Sequence, residues 1–250
     1  MAETVLVLGG TGEARALAAA LHERGGVRVI STLAGRIADP RLPAGEVRVG
    51  GFGGPAGLAE YIAAERVDAV VDATHPFAER MSWSAHEACA AAATKLLRLE
   101  RPPFERDPRI DWREVASLEE AASLLPTAGR RVFLTTGRQG LAAFGGVRGA
   151  FFLVRCVEVP DPAALPRDHA VILDRGPFTV AGELALIDEH ALDVLVTKDS
   201  GGEMTQAKLA AARARGMPVI VVGRPRRPDT QTVQTVEDAL AWLGEHVHDG

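Results

Sequence analysis

The chain has 250 residues, 47% hydrophobic and 24% charged, with a net charge of −5 and a sequence pI near 5.8. Such a composition supports a globular protein with a sizeable core, and its acidic balance excludes a general nucleic-acid binder, which needs a basic surface to neutralise phosphates. No apolar run reaches membrane-spanning length, no basic and apolar leader precedes the first predicted strand, and Cys89 and Cys156 lack metal or redox spacing. A cytoplasmic protein with no metal site and no membrane partner is therefore expected.

The first predicted strand, Val5–Leu8, runs into Gly9-Gly10-Thr11-Gly12-Glu13, and an Ala/Leu-rich helix follows over 14–23. A β-branched run bounded by glycines reads as a parallel strand covered on both faces. The glycines permit a sharp turn, and the helix that follows offers unpaired N–H groups to an anion such as a dinucleotide pyrophosphate. Gly10 and Gly12 match the first two glycines of G-x-G-x-x-G, while Arg15 stands at the third. The second predicted strand, 27–31, ends in Ser31-Thr32-Leu33-Ala34-Gly35-Arg36, with no carboxylate for ribose hydroxyls. Two hydroxyls and a guanidinium suit a 2′-phosphate, so the expected cofactor is NADPH.

Further predicted strands lie at 47–49, 69–72 and 96–99, with helices at 57–65 and 82–93. The proline-dense, mixed-charge segment 100–108 ends this alternation. A second one follows, with strands at 131–135, 151–157, 170–173, 194–197 and 219–222. Its helices are predicted at 118–125, 141–144, 179–190, 204–215 and 236–246. The expected fold is α/β, with two parallel-sheet domains facing a cleft: 1–100 binding the nucleotide and 101–250 contributing to a substrate cleft.

The loops after strands carry the candidate chemistry, although the same residue types also serve turns and helix caps. Asp72-Ala73-Thr74-His75-Pro76 places Thr74 and His75 as a wall for the cofactor, with Asp72 as a second candidate acid. Thr135-Thr136-Gly137-Arg138 and Asp174-Arg175-Gly176-Pro177 offer amides and guanidinium groups. In Lys198-Asp199-Ser200-Gly201-Gly202, Lys198 is the first candidate for proton donation or charge stabilisation, with Asp199 able to orient it. A short-chain reductase is a poor fit, because Tyr61 is the sole tyrosine and Glu65 occupies the position four residues on where that group carries Lys.

These motifs together resemble the precorrin-6A reductases of cobalamin biosynthesis, across nearly the whole chain. The resemblance rests on Leu8–Ala14, Ser31–Arg36, Gly50-Gly51-Phe52-Gly53-Gly54, Asp72–Ala78, Leu97-Arg98-Leu99-Glu100-Arg101-Pro102, Leu134–Arg138, Arg175–Phe178 and Val196–Gly202. It implies two Rossmann-like domains and NADPH-dependent reduction of one double bond of a tetrapyrrole-derived polycarboxylate macrocycle, precorrin-6A to precorrin-6B. On that reading Gly9, Gly10, Thr11, Gly12, Glu13, Ser31, Thr32, Arg36, Thr74 and His75 hold the cofactor. Arg15, Thr136, Gly137, Arg138, Arg175, Asp199, Ser200 and Gly201 hold the substrate. The alternatives are the same reduction of a cobalt-containing ring, or a non-catalytic module that senses NADP(H).

Overall fold

The computed structural model describes residues 3–35, 42–202 and 205–247. In chain order the elements are β1 (Glu3–Leu8), α1 (Gly12–Arg24), β2 (Val27–Leu33), β3 (Glu46–Val49), α2 (Pro55–Glu65), β4 (Ala69–Asp72), α3 (Glu79–Ala92) and β5 (Lys95–Leu99). Next come β6 (Trp112–Val115), α4 (Leu118–Ala128), β7 (Arg131–Leu134), β8 (Phe151–Cys156), β9 (His169–Leu173), α5 (Val180–Glu189), β10 (Val194–Lys198), α6 (Ala207–Ala214) and β11 (Val219–Val222). The chain closes with β12 (Thr232–Val233) and α7 (Val236–Val247).

These elements form two compact units, each built on a six-stranded parallel sheet. The first sheet has the order β12-β5-β4-β1-β2-β3 and the second β6-β11-β10-β7-β8-β9. Both follow one plan: the central strand, β1 or β7, has its successor on one side and a later strand, β4 or β10, on the other. That reversal is the topological switch point at which doubly wound sheets bind ligands, outside the carboxyl ends of the strands.

Alternation along the first sheet explains the near-continuous apolar runs. Val5, Val7, Val29, Ala69 and Val71 pack beneath α1 and α7, and Leu6, Leu8, Ile30 and Val70 face the helices on the opposite side. In the second unit Phe133, Leu153, Leu195, Val219 and Val221 form the core with Ile187 of α5 and Leu209, Ala211 and Ala212 of α6. Both cysteines are buried and unbridged, and burial pushes the Cys89 thiol up to about 12.

The expected division into 1–100 and 101–250 needs correction at the C-terminal end. The first unit comprises Met1–Pro102 and Pro225–Gly250, and the second Pro103–Arg224. After β11 the chain returns, β12 pairs with β5 through Thr232↔Arg98 and Val233↔Leu99, and α7 joins the core beneath α1. Two strands were not predicted. β12 is too short to show a period, and β6 is a four-residue edge strand just past the proline-rich segment. Residues 141–144 form one 3₁₀ turn, not an α-helix. Arg36, and Met204 at the start of the predicted helix 204–215, lie outside the described residues.

Candidate functional site

At the switch point of the first sheet each residue of the glycine corner has its own task. A Cβ on Gly9 would sit 2.9 Å from the Thr32 carbonyl oxygen, to which the Gly9 N–H already donates at 3.0 Å. Gly9 is thus required by the approach of β2. Gly10 holds φ of 113° with open space around it, a conformation that L side chains rarely adopt. Thr11 caps α1: its Oγ1 accepts from the Ala14 N–H at 3.1 Å and donates to the Ala73 carbonyl at 2.8 Å. The corner and the loop after β4 are therefore fastened together.

Glu13 in the first turn of α1 pairs with Arg101 at 2.9 Å, so its carboxylate is neutralised beside the positive end of the helix. This ion pair occupies one oxygen of the carboxylate expected among the cofactor contacts. Arg15 is half-buried one turn into α1, where its N–H donates to the Thr11 carbonyl at 3.4 Å. Ser31 is 1% exposed and its hydroxyl lacks a hydrogen-bond partner among the described residues; Thr32 beside it is also buried. A buried, unsatisfied hydroxyl one strand from a glycine corner and an open helix end fits a nucleotide that brings its own acceptors.

Asp72 departs from its expected role. It is 2% exposed; one carboxylate oxygen accepts from the Thr74 N–H at 3.2 Å and the Thr74 hydroxyl at 2.6 Å. The other accepts from Ser82 Oγ at 2.6 Å and lies 3.9 Å from Arg98 Nε. Its oxygens are committed to holding Thr74, α3 and β5, which makes Asp72 a positioning residue and corrects the reading of it as an acid. His75 is half-buried and its Nδ1 accepts from the Phe77 N–H at 3.2 Å.

The second sheet brings the loops after β7 and β10 together at its own switch point: the Thr135 N–H and hydroxyl both donate to the Val196 carbonyl, at 3.0 and 3.2 Å. Thr136 is 6% exposed and its hydroxyl has no hydrogen-bond partner among the described residues, while Gly137 follows with φ of 76° and open space. Burial lowers the pKa of Lys198, at the end of β10, below the ordinary 10.5. Asp199 does not orient this ammonium as expected, nor is it free for a substrate. Its carboxylate accepts from the Phe104 N–H at 2.8 Å and lies 3.9 Å from Arg224, which also donates to the Asp199 carbonyl at 3.1 Å.

Arg138 forms an ion pair with Glu158 at 2.9 Å. Arg175 is exposed on the loop after β9, an edge strand two places out from β7 or about 10 Å away, so the sheet does not group it with Lys198. Ser200 donates its N–H to the Lys198 carbonyl at 2.7 Å, and Gly201 turns with φ of 63°. Sequence reasoning missed the charged pairs at the end of β5: Arg98 with Asp72, Glu100 with Arg227, and Arg101 with Glu13. The available signal was the segment Leu97–Pro102, quoted for its resemblance without a role.

A glycine corner, an open helix end and polar loops at two parallel-sheet switch points define an α/β protein of the dinucleotide-binding type. Residues 4–244 match the model of the precorrin-6x reductase family, CbiJ/CobK. A precorrin-6A reductase of Rhodococcus erythropolis is 53% identical, covering 96% of this chain and 97% of its own. One from Rhodobacter capsulatus is 42% identical over 97% and 96%. The solved structure of a CobK precorrin-6A reductase superposes with a TM-score of 0.92 at 39% identity, covering 98% and 97% of the two chains. The chain belongs to the precorrin-6x reductase family, oxidoreductases of cobalamin biosynthesis.

Proposed function

We propose that this chain reduces one double bond of precorrin-6A to give precorrin-6B, with NADPH as reductant, in the cytoplasm. The carrying observation is the corner at Gly10–Gly12, fastened to Ala73 by Thr11, with the unsatisfied Ser31 hydroxyl on the adjacent strand β2. The amides of Gly10, Thr11 and Gly12 cradle the pyrophosphate. Ser31, Thr32 and Arg36 receive the 2′-phosphate, and Thr74 and His75 border the nicotinamide half. When bound, the nucleotide supplies the hydride, which passes to one carbon of a conjugated C=C–C=N unit. Lys198 gives a proton to the neighbouring carbon, so that two electrons and two hydrogens are added in all. Burial favours this donor, since a lowered pKa makes the ammonium readier to release its proton near neutral pH.

Arg15, Thr136, Gly137, Arg138, Arg175, Ser200 and Gly201 anchor the substrate's carboxylates and carbonyls by local charge and amides, which compensates for the acidic total. The test is NADPH oxidation followed by absorbance with precorrin-6A as acceptor, and cobalt-precorrin-6A in parallel. Stoichiometric oxidation with precorrin-6A is expected. Nucleotide binding without oxidation would replace the enzyme reading with the sensing module.

A further inference from the structure

Arg227 lies on the segment that returns to the first unit after β11. Its side chain is 8% exposed; Nη1 donates to a Glu100 carboxylate oxygen at 2.7 Å, and Nη2 donates to the His75 carbonyl at 2.8 Å. That carbonyl also accepts from the Ala78 N–H at 2.7 Å, closing a tight turn over 75–78. Within the turn His75 Nδ1 accepts from the Phe77 N–H, which leaves Nε2 as the protonated nitrogen of the neutral ring. The return segment is itself fixed just beyond Arg227. Arg98 donates to the Pro228 carbonyl at 3.2 Å, and the Arg98 and Glu100 N–H groups donate to Gln231 and Val233 at 2.8 and 2.9 Å.

We infer that Arg227, seated on Glu100, is a positioning residue of the reductase: it holds the His75–Ala78 turn, and through it the orientation and tautomer of the imidazole, against the nicotinamide half of the nucleotide. This rests on the proposed placement of Thr74 and His75. A buried ion pair is an expensive way to fasten a strand, because desolvating both charges opposes much of their attraction and an apolar pair would serve as well. What an apolar pair cannot supply is a charged planar donor aimed at one carbonyl oxygen. Arg227 supplies it from the far end of the sequence.

The test compares Arg227→Met, Arg227→Lys, Glu100→Gln and His75→Ala by equilibrium titration with NADPH and by separate KM values for NADPH and precorrin-6A. Arg227→Met is expected to raise both Kd and KM for NADPH about tenfold, the scale of one charge-assisted hydrogen bond, with the precorrin-6A KM within about twofold. Arg227→Lys is expected to recover part of the loss, because a point charge holds the carbonyl without the planar fork. Should Arg227→Met fail to fold, Arg227→Lys and Glu100→Gln decide, with NADPH affinity lowered about threefold in each. Unchanged NADPH affinity in the Arg227 and Glu100 variants beside a weakened His75→Ala overturns the inference and leaves the cofactor placement standing. Equal losses for both substrates reduce Arg227 to a structural fastening and overturn it too. Unchanged affinity in His75→Ala removes the placement itself, and the inference with it.

Discussion

Thr11 Oγ1 lies 2.8 Å from the Ala73 carbonyl oxygen, joining two loops that are 62 residues apart in sequence across the switch point of the first sheet. The same hydroxyl caps α1 by accepting from the Ala14 N–H. One oxygen thus fixes where the helix begins and how far the loop after β4 stands from it. Replacing Thr11 with Val keeps the shape and removes both bonds. A loss of about 1–2 kcal/mol in denaturant unfolding is expected, with NADPH affinity reduced further. Thr11→Ser restores both, and a Val variant with unchanged NADPH affinity would separate the cap from the binding site.

Lys198 carries the expectation about chemistry. Lys198→Ala is expected to lower kcat by about 10²-fold or more while the KM for precorrin-6A changes little, as for removal of a general acid. Turnover equal to wild type would take the residue out of the mechanism.

Burial of the same ammonium has a pH signature. Its folded pKa lies below the ordinary 10.5, so between the two values the unfolded chain binds more protons than the folded one, and stability rises with pH across that window. Activity runs the other way, declining with rising pH once the proton is lost, and at a pH below the ordinary lysine range. Lys198→Ala is expected to remove this rising contribution from unfolding stability measured from neutral to alkaline pH.

For Asp72 the expectation concerns stability. Asp72→Ala strands the Thr74 and Ser82 hydroxyls and leaves Arg98 buried without its carboxylate, and the cost is about 3 kcal/mol. Thermal and denaturant unfolding of the variant measure it. A variant as stable as wild type but without turnover would return Asp72 to the chemistry.

Cofactor choice rests on the end of β2. Arg36→Ala is expected to raise the KM for NADPH about tenfold or more and to leave the use of NADH nearly unchanged, since only NADPH carries the 2′-phosphate. Equal effects on the two nucleotides would contradict the phosphate contact.

Legibility followed physical range. The run Val5–Gly12 could be read because strand, turn and helix signals are local, and the glycine corner stands where the sequence places it. Gly9 and Gly10 look alike in a sequence, yet one yields to the Thr32 carbonyl and the other to a positive φ, a difference that exists only once β2 is in place. Asp72 reads as an acid because a carboxylate in a strand-end loop looks the same whether it faces solvent or is enclosed by Thr74, Ser82 and Arg98. The partners of Glu13 and Glu100 lie 88 and 127 residues away, and no local pattern marks such pairs. The two-residue strand β12 shows no period, so the return of the chain to the first sheet was invisible, and with it Arg227.

The most direct test of this account is the electron density of a crystal soaked with NADPH. The account expects the pyrophosphate over the amides of Gly10, Thr11 and Gly12, the 2′-phosphate beside Ser31 and Thr32, and the nicotinamide at Thr74 and His75. Nucleotide density anywhere else on the chain would contradict it.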